Sequence, residues 1–351
     1  MSKELKKLIA LVVVLGLCVG GYFWLKDWNS KASQREAAKA VYVSQFGNVD
    51  QFTVTKKGGT PITFVKTDNK WTYPADSTFP VNDSKLNNIA GYLMALKAVK
   101  TIDKPDDLSS YGLKDPEETI EVKSGDATEK ILIGAVNDTN RYAMKDGESA
   151  VYTVSPTVYD DTATDINGFA QLETFPVLSE ANIKSIELKK ADGTDTKMTK
   201  ETVVTPAEDS MKEAVSGTTV AGPAEEPTEA PTPATPVPTA TPTVTYQWSL
   251  ADGTPVASSD AILSSYLSTL KALSFKACAN YKADDAALTT YGLDSPAVLT
   301  VEYDNGTFAL SIGKAADDST AYVRLNDSKI VYTMDKKTTD ALQGIQENTA
   351  K

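Results

Sequence analysis

The sequence predicts an α+β protein: two tandem, duplicated modules of antiparallel-rich sheet, each with a packed helix, after an N-terminal transmembrane helix. Three observations predict it. The chain opens on an unbroken apolar run, a set of short motifs recurs in the same order, and each copy surrounds one amphipathic stretch with alternating ones.

The apolar run covers residues 8–25 (LIALVVVLGLCVGGYFWL). As a helix it rises about 27 Å, close to the ~30 Å of a bilayer's hydrocarbon core. Lys3, Lys6 and Lys7 precede it, and Trp24 and Trp28 stand where an aromatic belt would lie. A cleaved signal peptide needs small residues before the cut, and the only nearby choice, after Gly21, falls inside the run. A lipoprotein signal would use Cys18, but Leu17 before it is too large. The run therefore reads as an uncleaved signal anchor, with the lipid bilayer as its partner. Basic residues on both sides leave the orientation to the order of the segments: a short basic start, an apolar run, then a long polar chain. That order places residues 1–7 in the cytoplasm, makes 26–44 a juxtamembrane linker, and puts the bulk of the chain outside the cytoplasm as a single-pass protein of the cell membrane.

The repeat is the most informative feature. YGLKDP (111–116) recurs as YGLDSP (291–296), 180 positions later. Upstream, YLMALKAV (92–99) answers YLSTLKAL (266–273), and Asp106-Asp107 answers Asp284-Asp285. Downstream, ILIG (131–134) answers LSIG (310–313), and AVYTV (150–154) answers IVYTM (330–334). In the first copy FTVTKK, PITFVK and KWTY read as strands, with Gly58-Gly59 and Asp68-Asn69 as turns. PVNDSKLNNIAGYLMALKAV follows, with Asn82, Asp83 and Ser84 as cap residues. Its spacing puts Leu86, Ile89, Ala90, Leu93 and Leu96 on one helical face. TIEVK, KILIG, RYAMK and AVYTV complete the sheet. The second copy repeats this, with Ile262, Tyr266, Leu267 and Leu270 on the inward face of its helix.

Residues 203–245 have no counterpart in the first copy, and eight of the chain's 17 prolines fall between Pro206 and Pro242. Such composition buries too little apolar surface to offset the entropy of ordering, which predicts disorder or polyproline II. Taken alone the segment reads as an inter-domain linker. The repeat makes it an insertion instead, because IKSIELKKADGTDTKMTK (183–200) matches the first hairpin and YQWSL (246–250) matches the strand that follows it. The expected modules are 45–168 and 183–345, joined by a connector at 169–182.

Composition narrows the chemistry. Of 351 residues 35 are basic and 47 acidic, a net charge of −12, which argues against nucleic acid as a partner. There is no histidine, so Ser-His and Cys-His pairs and His-ligated zinc are excluded. Cys18 and Cys278 are too few for a disulfide framework, and Cys278 reads as a small buried hydrophobe.

The YGLxxP element followed by the (L/I)xIG and VYT strands resembles the DUF4340 family of bacterial envelope proteins. The similarity spans about 45–345, and FAQLETFPVLSEANIKSIELKK (169–190) resembles that family's lead into a fresh strand. The long insertion and the LDSP of the second copy depart from the pattern. The resemblance implies single-span envelope proteins, some accompanying ABC-type transporter components, and it carries no catalytic motif over.

The singled-out motif residues are Tyr111, Gly112, Leu113 and Pro116, with Tyr291, Gly292, Leu293 and Pro296. They read as structural: a glycine turn, a leucine anchor, and a proline at the start of a strand. Asp106-Asp107 and Asp284-Asp285 suit helix starts better than a paired-carboxylate hydrolase. The polar loops 135–141 and 314–320 read as turns rather than Ca²⁺ sites, lacking the alternating acidic pattern. No cofactor or metal is expected. The functional expectation is a non-enzymatic binding or accessory subunit of an envelope assembly. The alternatives are a binder of cell-wall polymer or small solute, or a carboxylate or Ser-Lys hydrolase.

Overall fold

The computed structural model describes residues 40–205, 242–256 and 260–344, together with the isolated positions Tyr22 and Lys26. The chain forms two compact units that divide between Phe169 and Ala170.

In the first unit, strands β1 (Tyr42–Gln45), β2 (Gln51–Lys56), β3 (Ile62–Thr67) and β4 (Lys70–Thr72) precede helix α1 (Asp83–Met94) and strand β5 (Ala95–Ile102). A 3₁₀ turn, Leu108–Tyr111, leads into β6 (Glu118–Ser124), β7 (Ala127–Asn137), β8 (Asn140–Lys145) and β9 (Val151–Val154), and α2 (Thr157–Thr162) and a second 3₁₀ turn, Ile166–Phe169, follow. The strands make one nine-stranded antiparallel sheet in the order β1-β5-β9-β8-β7-β6-β2-β3-β4.

Two-residue alternation sorts the side chains between its faces. Phe52, Phe64, Ile120, Val122, Ile131 and Ile133 point to one face and are fully buried or nearly so. There they meet Leu86, Ile89, Ala90 and Leu93 of α1. Trp71 closes this core edge-on to Phe52 at 5.2 Å, and its indole N–H donates to Asn87 Oδ1 at 3.0 Å. The opposite face carries a smaller cluster of Leu113, Met144 and Val151.

The second unit comprises β10 (Ile183–Lys189), β11 (Asp195–Thr205), β12 (Thr243–Leu250), β13 (Pro255–Val256), α3 (Ala261–Lys271), β14 (Ala277–Asn280) and α4 (Asp285–Thr290). It ends with β15 (Ala297–Tyr303), β16 (Gly306–Ala315), β17 (Thr320–Leu325), β18 (Val331–Asp335) and α5 (Lys336–Gln343). Its sheet runs β13-β12-β11-β10-β15-β16-β17-β18-β14. Read from β14, the order 14-18-17-16-15-10-11-12 repeats the first sheet's 5-9-8-7-6-2-3-4 strand for strand, leaving β1 and β13 as the unshared edge strands. Trp248 takes the place of Trp71, fully buried, its N–H donating to Glu180 Oε1 at 3.2 Å. Cys278 is buried on β14, at the other end of this sheet, where it pairs with Tyr332 of β18.

Several expectations need correction. Helix α1 stops at Met94, and Leu96, though buried, lies on β5, because strand pairing with β1 takes over from Ala95. On α3 the inward residue is Leu263, and Ile262 is 37 % exposed. The first sheet starts at Tyr42, inside the stretch expected to be linker. Phe169 is fully buried in the first unit, whereas Phe175 packs at a tilt against Phe275 at 4.7 Å and Glu173 accepts from the Tyr332 hydroxyl, so most of the expected connector belongs to the second unit.

The ends of the expected disordered segment are strand. Val203, Val204 and Thr205 pair with Thr245, Val244 and Thr243, continuing the β11–β12 ladder, and residues 206–241 lie outside the described residues. The expected anchor, residues 8–25, also lies outside them apart from Tyr22. Among the described residues no helix is long and apolar enough to cross a membrane.

Candidate functional site

The repeated motif forms the same joint in both units. Asp107 caps the turn at Leu108–Tyr111 by accepting from Ser109 N–H, and Gly112 ends it with φ +68°, donating to the Leu108 and Ser109 carbonyls. Asp284 caps α4 through Ala287 N–H, and Gly292 also has φ +68°. Left-handed backbone admits glycine at little cost and a side chain only with strain. The joint also presses on the sheet. A Cβ on Gly112 would stand 2.8 Å from Ala135 N, and one on Gly134 would collide with the Tyr111 carbonyl oxygen. Gly313 meets Tyr291 in the same way, and Lys314 N–H donates to the Tyr291 carbonyl at 3.0 Å.

The YGL and IG motifs are thus two halves of one contact. Leu113 and Leu293 are each 2 % exposed beneath it, and Tyr111 and Tyr291 lie on Tyr142 and Tyr322 with ring centroids 4.9 and 4.5 Å apart. Pro116 and Pro296, half-buried, stand just ahead of β6 and β15. The eight motif residues form two separate joints, with the tyrosines, glycines and leucines of each packed against its sheet.

A second feature belongs to the first unit alone. Glu118, on β6 opposite Lys56 of β2 and Ile133 of β7, is the one fully buried carboxyl group among the described residues. Thr162 Oγ1 of α2 lies 2.5 Å from its Oε1, while its Oε2 has no hydrogen-bond partner. Two cations stand near by on other duties. Lys56 Nζ donates to the Ala163 carbonyl at 3.4 Å. Arg141 of β8 donates to the Gly134 carbonyl at 3.0 Å and lays its guanidinium 3.4 Å above the Tyr159 ring of α2. Burial pushes the Glu118 carboxyl up to about 7, against the opposing pull of Thr162, Lys56 and Arg141.

Register identifies the counterparts in the second unit. Glu118 faces Ile133, and Ala297 faces the matching Ile312. Arg141 faces Val154, and Ala321 faces the matching Met334. Ten residues beyond the tyrosine of each VYT strand stand Thr162 and Leu342, both fully buried. One copy fills this position with a polar cluster and the other with Ala, Ala and Leu.

The sequence reading passed over this cluster. Its signal is the alternation of β6: Ile120 and Val122 point inward, so Glu118, two residues earlier, does too. Thr162 and Arg141 carry no such signal, since only the fold brings α2 and β8 to that spot.

Fold and joints together define a class: a tandemly duplicated α+β protein whose two antiparallel sheets share one strand order and one glycine joint. The chain belongs to the family described as domain of unknown function (DUF4340). That family's model matches residues 71–227 and 248–348, two segments covering well over half the chain, consistent with two tandem copies. No curated protein and no solved structure matches it.

Proposed function

We propose that this protein is a non-enzymatic, membrane-anchored protein of the cell envelope. Residues 8–25 hold it in the bilayer, and its two modules stand outside the cytoplasm as a binding or accessory subunit of an envelope assembly, an ABC-type transporter being the kind the family resemblance suggests. One observation carries the reading: what duplication repeated is backbone and apolar packing, in Gly112, Leu113 and Gly134 and again in Gly292, Leu293 and Gly313. A copied catalytic unit would repeat a polar set, whereas among the described residues the buried Glu118–Thr162 pair is answered in the second copy by Ala297 and Leu342. Two modules with a common frame suit contact with a larger assembly.

The test is cross-linking in intact cells followed by purification of the full chain from mild detergent. The expected result is a reproducible membrane-protein partner at near-stoichiometric yield. Recovery of the chain alone under several detergents, with or without cross-linker, would overturn the reading.

A further inference from the structure

The cluster around Glu118 sets a problem of hydrogen counting. Thr162 Oγ1 lies 2.5 Å from Glu118 Oε1 and 2.6 Å from the Val158 carbonyl oxygen. A hydroxyl has one hydrogen, a carbonyl only accepts, and an ionised carboxylate only accepts. With Glu118 ionised, one of the two short contacts has no hydrogen in it. With Glu118 neutral, both are filled: the carboxyl O–H donates to Thr162, and Thr162 donates to Val158.

We infer that the first module contains a proton-operated latch, in which neutral Glu118 on β6 fastens α2 to the sheet through Thr162 and loss of its proton loosens that helix. The surroundings of Glu118 support the second half of this. From β2 it is faced by Lys56, from β8 by Arg141, and from β7 by the apolar Ile133. On α2 itself Asp160 is exposed and Asp161 acts on Lys85 instead.

A buried carboxylate needs donors, and among the described residues the charged ones acting on Glu118 are these two cations. Both already hold α2, Lys56 through the Ala163 carbonyl and Arg141 through the Tyr159 ring. Turning either toward an ionised Glu118 removes a contact that fastens the helix. The fold does not require the group, because its twin position in the second unit is Ala297.

The experiment is hydrogen–deuterium exchange on the full chain in detergent micelles between pH 5.5 and pH 9. It is read as protection factors, which remove the intrinsic pH dependence of exchange. Protection across 157–163 is expected to fall at least tenfold over that range, while the matching helix 336–343 changes less than twofold. E118Q, which stays uncharged and keeps a donor for Thr162, should hold protection constant with pH. E118A, which copies the second unit, should also be flat with pH, at lower protection. A pH-independent wild type, or an E118Q chain showing the same fall as wild type, would overturn the latch. Should E118A fail to fold, the comparison of E118Q with wild type still decides.

Discussion

At the scale of single residues, two kinds of glycine are separable. Gly134 and Gly313 lie on strands where an added methyl group meets the Tyr111 or Tyr291 carbonyl, and backbone cannot step aside as a side-chain tip can. Gly134→Ala or Gly313→Ala should each lower stability by about 2–3 kcal/mol, read from the midpoint of urea denaturation. Gly125, with φ +56° but open space around its Cβ direction, should lose only roughly 1 kcal/mol on the same substitution.

Glu118 gives a pH prediction of definite sign. A glutamate carboxyl titrates near 4.5 in the unfolded chain and near 7 in this one, so between those values the folded state holds the extra proton. Stability should therefore decline as pH rises through that window, by on the order of 3 kcal/mol in all, and E118Q should flatten the profile. The YGL glycines were legible in the sequence because duplication repeated them. Glu118 was half legible, as an acid in phase with inward-facing residues, while its partners Thr162 and Arg141 are distant in sequence and meet only in the folded sheet.

At the scale of elements, caps and turns decide where structure begins. Asn82 accepts from Lys85 N–H at 3.0 Å, so Asn82→Ala should cost the first module about 1 kcal/mol, visible in the same denaturation curve. The start of α1 was readable from that cap. Its end was not, since helical spacing ran on through Leu96, and only pairing with β1 and β9 converts 95–102 to strand. The β11–β12 hairpin offers a stronger test. Thr205 pairs with Thr243, so replacing 206–242 by Asn-Gly should preserve the ladder. Shortening the closed loop should raise the stability of the second module by on the order of 2 kcal/mol. Loss of cooperative unfolding in that deletion would show that the segment supports the sheet. Sequence similarity alone located this insertion but set its ends three residues too wide on each side, because Val203–Thr205 and Thr243–Thr245 differ from their surroundings by pairing rather than by composition.

At the scale of the molecule, each half has its own sheet, its own core and its own buried tryptophan, so each should fold alone. Residues 40–169 and 170–351 expressed separately are expected to unfold cooperatively, with denaturant slopes that scale with their size. A half that remains molten would mean that it draws its order from the other. The duplication was legible in the sequence because five motifs kept their order. The shared strand order was not, since spacing along the chain does not say that β5 lies between β1 and β9 or that β14 lies outside β18.

The paired threonines at the tip of the β11–β12 ribbon have a consequence for how this protein can change. Strands in register there stand about 5 Å apart, so whatever is spliced between them departs and comes back through a doorway one strand wide. Lineages are free to lengthen, trim or rewrite the intervening stretch without renegotiating a single pairing elsewhere. An experimenter can use the same doorway to graft an epitope or a fluorescent reporter into the middle of the chain.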